Sequence, residues 1–132
     1  MDEELKKSML KTGTTILGIV CKDGIVMASD SQVSAGNLVV SKNYAKTIKV
    51  NDYLLVSFTG MVSDAQRVVK ILPAELKLKE LRAKSRPTVE QAANLLSSIL
   101  YSGIRQPSMI PMQVGNLIGG FNEDGTIELY TV

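Results

Sequence analysis

An α+β fold, with strands and helices segregated along the chain, is what this sequence predicts. Three observations carry that expectation. Three pairs of apolar runs are each joined by a turn-prone step, two stretches with a period of three to four residues lie together between the second and third pairs, and strands do not alternate with helices as a parallel βαβ sheet requires. A length of 132 residues with 45% hydrophobic content fits one domain that buries its core without metals or disulfides.

The first strand pair is "TTILGIVC" and "IVMASDS", joined by "KDG", since Asp-Gly between apolar runs is a strong hairpin signal. Both runs are nearly continuously apolar, which predicts strands covered on both faces. The second pair is "KTIKV" and "YLLVSF" across "ND", and the third is "LIGGF" and "TIELYTV" across "NEDG". Between them, Val62, Ala65, Val69, Leu72 and Leu76 mark an amphipathic helix beginning directly after Gly60. Pro73 falls inside it and is expected to kink or divide the helix, because proline has no N–H and clashes with the preceding turn. A second helix is predicted from about Thr88 to Tyr101, with Thr88 and Gln91 spaced as a capping box and Val89, Ala92, Leu96 and Ile99 along one face. The basic "LRAKSR" between the helices reads as a solvated connection. Helices on one face cannot cover strands that are apolar on both, so a second sheet or another helical layer is expected to complete the structure.

Composition removes several function classes. Net charge is +2, aromatics are 5% and there is no Trp, so the basic footprint and stacking platforms of a nucleic-acid binder are missing. "MDEELKKSMLK" lacks the apolar core of a signal peptide, and no stretch reaches the roughly 18 apolar residues of a membrane span, so a soluble cytoplasmic protein without membrane partners is expected. The lone Cys21 fits a reducing compartment and is expected to be a small buried hydrophobe. The count of zero histidines says most. It excludes Ser–His and Cys–His nucleophile pairs and leaves zinc or iron without their usual nitrogen ligand. The remaining nitrogen bases are a lysine with a lowered pKa or a free α-amine, whose reference pKa is roughly 7.7–8.0.

That makes "KTGTTILGIV", residues 11–20, open to two readings. Thr-Thr at a strand start is ordinary β-propensity. Cleavage between Gly13 and Thr14 would instead place an α-amine and a hydroxyl on one residue, a nucleophile with its own base.

The stretches "GTTILGIVCKDGIVMASD", "SKNYAKTIKV", "FTGMVSDAQ", "AELKLKELR", "TVEQAANLLSSIL" and "LIGG", in this order from Gly13 to Val132, resemble proteasome β subunits, most of all the archaeal type. The resemblance implies a four-layer αββα sandwich of the N-terminal-nucleophile hydrolase type. It implies that residues 1–13 are a propeptide removed by self-cleavage and that 14–132 belong to the peptidase domain. Thr14 corresponds to the family's nucleophile, Gly13 to the residue before the cut, and Asp30 and Lys46 to its paired acid and buried lysine. An ammonium beside Thr14 favours the deprotonated forms of its neighbours, and Asp30 offsets the cost of burying that charge. Gly60 corresponds to the residue whose N–H receives the oxyanion. Val33, Ser34, Tyr44, Phe58 and Val62 match positions of the substrate pocket, which Phe58 is expected to make shallow and apolar. No cofactor or metal is implied. The implied partners are other β subunits in a seven-membered ring, rings of α subunits, an ATP-dependent unfoldase acting indirectly, and unfolded polypeptide substrates.

Ser63 and Pro73, the latter in a helix that relatives keep intact, depart from the family pattern, as do Gln32 and the "GN" at 115–116. Family members continue beyond the position of Val132 by roughly another third, so this chain is expected to lack the segment carrying the family's active-site serine and second aspartate. A non-catalytic ring subunit, or a fragment without a complete site, is the alternative reading.

Overall fold

The computed structural model describes residues 14–35, 38–105, 107 and 114–132. Gly13 and the expected propeptide lie outside these residues. Strands β1 (Ile16–Val20) and β2 (Ile25–Ser29) form an antiparallel hairpin with Val20 opposite Ile25. The connection holds four residues, closed by Cys21 N–H donating to Gly24 O at 2.8 Å. Gly24 has no left-handed φ, so "KDG" is not the two-residue turn that Asp-Gly usually signals. Cys21 sits in this turn and is exposed, contrary to the buried role expected of it.

Strands β3 (Val33–Ala35) and β4 (Leu38–Ser41) form a second small hairpin that the apolar pattern does not reveal. Next come β5 (Thr47–Asn51), β6 (Leu54–Gly60), helices α1 (Val62–Ala83) and α2 (Val89–Arg105), then β7 (Val114–Phe121) and β8 (Ile127–Thr131). Strands β5, β6, β7 and β8 make an antiparallel sheet in that order.

Both helices pack on one face of this sheet, and β1 and β2 pack on the other. The core lies on the helical side, where Leu54, Val56, Phe58 and Ile118 meet Ala65, Val68, Leu72 and Leu76 of α1 and Val89, Ala92, Leu96 and Leu100 of α2. The opposite sheet faces approach closely because Gly119 leaves room for Ile25 and Leu129. The layers are therefore helical, four-stranded and two-stranded. The first strand pair was expected to be covered on both faces, but among the described residues only its inner face is. Leu17, Ile19 and Val26 remain about half exposed on the outer one.

Of the kink or division expected at Pro73, division does not occur: helix α1 runs as one element through it. Proline removes one N–H bond of the helix, while Val68, Leu72 and Leu76 bury a stripe on both sides of that position, and the packing decides the outcome. The capping box forms as predicted: Gln91 N–H donates to Thr88 Oγ1 and Thr88 N–H to Gln91 Oε1, each at 3.1 Å. Asn122 Oδ1 accepts a third bond from Val89 N–H. The basic connection is more than solvated, since the Arg86 guanidinium stacks 4.1 Å from the Tyr53 ring centroid and donates to Phe121 O. Asn116 in β7 is 2% exposed, and its side-chain amide has no partner among the described residues. Such a group costs about 1–3 kcal/mol, a local weakness in an inner strand of the sheet.

Candidate active site

Four chain segments meet at one end of the sandwich. Thr14 lies just before β1, Asp30 just after β2, Lys46 just before β5, and Gly60 closes β6. Backbone bonds fix Asp30 and Lys46. Asp30 N–H donates to Thr15 O at 3.2 Å, which locks the end of β2 to the start of β1, and Phe58 N–H donates to Lys46 O at 2.8 Å, which ties Lys46 to β6.

The side chains converge on one ammonium group. Lys46 Nζ lies 2.8 Å from Thr14 Oγ1 and 2.5 Å from Asp30 Oδ1. Lys46 is 8% exposed, whereas the Asp30 side chain keeps 35% of its surface. The Asp30 carboxylate also accepts from Thr15 N–H at 2.9 Å and from Gln32 N–H at 3.2 Å. A charge-assisted bond from Lys46, followed by the Thr15 amide, holds the Asp30 carboxyl below its ordinary value of 3.8. A buried ammonium therefore has one anionic partner and one neutral hydroxyl, the arrangement that stabilises an alkoxide or a hydroxyl giving up its proton.

This pairing has a consequence for stability. The folded carboxyl titrates below the unfolded one, so its contribution is complete above the unfolded value and is lost as pH falls through the folded one. Denaturant midpoints measured on the full chain are expected to fall as pH drops below about 4, and Asp30→Asn to flatten that part of the profile. An unchanged acid slope in Asp30→Asn would show that the contact adds nothing to the folded state.

A cavity of about 20 Å³ adjoins the hydroxyl, lined by Thr14, Tyr44, Lys46, Phe58, Thr59, Gly60, Val62 and Ala65. It has room for about one water. Tyr44, Phe58 and Val62 of the residues expected around a pocket are brought together here. Val33 lies on β3, outside this lining set, and Ser34 follows it on the same strand. Thr59 and Ala65 belong to it and were not anticipated; Thr59 could have been read as the neighbour of a strand-ending glycine. Gly60 has φ 114°, a conformation that side chains disfavour, and it turns β6 into α1. Met61 makes no side-chain cap to α1, so the first amides of the helix lie uncapped by it beside the cavity. Among the described residues no cluster of His, Cys, Asp or Glu is placed to hold a metal ion, and no helix is long and apolar enough to cross a membrane.

Two sheets face to face, helices on the outer side of one, and a threonine at the entry to the first strand beside a lysine–aspartate pair define a sandwich of the N-terminal-nucleophile hydrolase type. A family profile described as "Proteasome subunit" matches residues 10–132, and the chain belongs to this family. It is 42% identical over 112 residues to the proteasome subunit beta of Methanobrevibacter smithii, a match covering 85% of this chain and 52% of that one. The proteasome subunit beta of Nanoarchaeum equitans is 50% identical over 88 residues, covering 67% of this chain and 45% of the relative. That of Methanococcus aeolicus is 36% identical over 125 residues, covering 85% and 58%. The chain spans about half the length of the curated relatives it matches.

Proposed function

We propose that this chain carries the nucleophile of a threonine-type endopeptidase and works as a catalytic β subunit of a cytoplasmic proteasome. The observation that carries the reading is the Lys46 ammonium at hydrogen-bond distance from both Thr14 Oγ1 and Asp30. In the proposed cycle, the bond between Gly13 and Thr14 is first cut, releasing residues 1–13 and freeing the Thr14 α-amine. Thr14 Oγ then attacks a substrate carbonyl while its proton passes to the α-amine, directly or through a water in the adjoining cavity. Lys46 stabilises the oxygen as it loses its proton, and the Gly60 N–H donates to the oxyanion of the tetrahedral intermediate. Collapse expels the amine of the leaving peptide, which takes the proton, and leaves an ester on Thr14. Water hydrolyses that ester and restores the hydroxyl.

The small cavity with Phe58 in its wall supports a shallow apolar pocket for the residue before the scissile bond. Membership of the family supports assembly with other β subunits into a seven-membered ring against α-subunit rings, and unfolded polypeptides delivered with the help of an ATP-dependent unfoldase as substrates.

Intact mass spectrometry of the assembled particle tests the reading. The parent is expected to have lost residues 1–13, and Thr14→Ala to retain them. Processing that persists in Thr14→Ala would refute the assignment. A correctly assembled particle that a threonine-directed electrophile leaves unlabelled would establish the non-catalytic ring subunit instead.

A further inference from the structure

Three hydroxyl groups cross the interface between the two sheets directly beside the charged pair. Ser29 Oγ, on β2, lies 2.9 Å from Thr47 Oγ1, on β5, and Thr47 Oγ1 lies 2.8 Å from Ser57 Oγ, on β6. Ser57 is fully buried, and Ser29 and Thr47 are half-buried. Thr47 and Ser57 are cross-strand partners in the four-stranded sheet, whereas Ser29 belongs to the two-stranded one. None of the three lines the cavity at Thr14.

We infer that the Ser29–Thr47–Ser57 hydroxyl chain is a positioning device that sets the separation of Asp30 and Lys46, and through it the placement of the ammonium on Thr14 Oγ1. The inference rests on the reading of Thr14 as the nucleophile. Ser29 is bonded to Asp30 through one peptide unit, and Thr47 to Lys46 through another, so any slip of β2 against β5 reaches the charged pair within one residue. The inward positions of β2 before Ser29 are Ile25 and Met27, which hold the sheets together without fixing their sliding coordinate. Hydrogen bonds between hydroxyls are directional, with strong preference for separations near 2.7–2.8 Å, and they fix that coordinate. Threonine suits the middle position because its branched Cβ restricts χ1 and holds Oγ1 between two partners. Ser57, fully buried, must also keep Thr47 as its partner, since losing that partner leaves its hydroxyl unsatisfied.

The test uses the full chain with three variants. Thr47→Val keeps the shape and removes the central hydroxyl, Thr47→Ser keeps the hydroxyl, and Ser29→Ala breaks the inter-sheet bond while leaving the buried Thr47–Ser57 pair intact. Two quantities are read: the titration midpoint of the Asp30 carboxyl by carbon NMR, which reports its contact with Lys46 without any activity, and the rate at which a threonine-directed electrophile labels Thr14. Thr47→Val and Ser29→Ala are expected to raise the Asp30 midpoint toward its ordinary 3.8. Labelling is expected to slow by about 10- to 100-fold, the scale of a misplacement near 1 Å. Thr47→Ser restores both readings. Should Thr47→Val not fold, Ser29→Ala alone decides. An Asp30 midpoint that stays in place in a folded Ser29→Ala or Thr47→Val chain overturns the inference. A parent that is never labelled, with an Asp30 midpoint that still moves in the variants, removes the nucleophile reading and leaves the positioning role standing.

Discussion

Lys46→Met is expected to slow covalent labelling of Thr14 by about 10²- to 10³-fold and to leave residues 1–13 attached, while the chain still folds. The scale is that of removing one preorganised group that stabilises developing negative charge. Methionine fills the volume of the buried lysine stem, so the core beside Phe58 keeps its packing. The partner left behind is not stranded: Asp30 retains the Thr15 and Gln32 amides and a side chain 35% exposed to water. The loss of stability is therefore well below the 3–5 kcal/mol typical of breaking a fully buried pair. Lys46→Arg keeps the charge but replaces a compact ammonium by a broad planar group, and the 20 Å³ cavity has no space for it, so it is expected to rescue little. Matching denaturant midpoints with the labelling rate of each variant separates chemistry from folding. Labelling of a folded Lys46→Met chain at the parental rate would take Lys46 out of the mechanism.

What the sequence reveals of this molecule divides along the range of the interactions concerned. The capping box of Thr88 and Gln91 is local and forms as read, and the apolar periods of both helices map onto the core. Pro73 shows the limit of local reasoning, because the apolar period marks Leu72 and Leu76 as an inner face but does not report that their complete burial outweighs the lost helix bond. The apolar pattern does not mark the β3–β4 hairpin because its strands are short and Leu38, Val39 and Val40 of β4 are all exposed, so no alternation with a period of two marks that strand. Arg86 in "LRAKSR" looks like any solvated cation until Tyr53 and Phe121 are brought beneath it.

The candidate site is a sharper case. Lys46 in "AKTIK" has the appearance of a surface strand residue, and only its register with Asp30 and Thr14 in a family pattern marks it. Those residues are 16 and 32 positions away, and their meeting depends on how two sheets stack. The hydroxyl chain is less legible still. Ser29, Thr47 and Ser57 are each unremarkable strand residues, and only the packing of β2 across β5 and β6 aligns their oxygens.

Gly120→Ala is expected to cost about 3 kcal/mol, at the upper end of what overpacking does. A Cβ on Gly120 would collide with Tyr53 O and stand 2.9 Å from Tyr53 C, and both are backbone atoms that no rotamer change can move. Relief requires the turn between β5 and β6 to lift from β7. That breaks the bond from Phe121 N–H to Tyr53 O and parts the ring of Tyr53 from the guanidinium of Arg86, which also donates to Phe121 O. One methyl group thus loosens a corner where two strands and the interhelical connection are joined. Gly24→Ala is the matched control, because nothing lies within 4 Å of its added Cβ and its φ is not left-handed; its effect is expected within about 0.5 kcal/mol. The corner lies at the start of β6 and Gly60 at its end, about 20 Å away at some 3.4 Å per residue. A Gly120→Ala chain kept folded by low temperature is therefore expected to label at Thr14 close to the parental rate, although its denaturant midpoint falls. Equal midpoints for Gly120→Ala and the parent would mean that β7 and the Tyr53 turn are not held as closely as this packing requires. A labelling rate that fell with the midpoint would mean that the site is not insulated from the far end of its own strand.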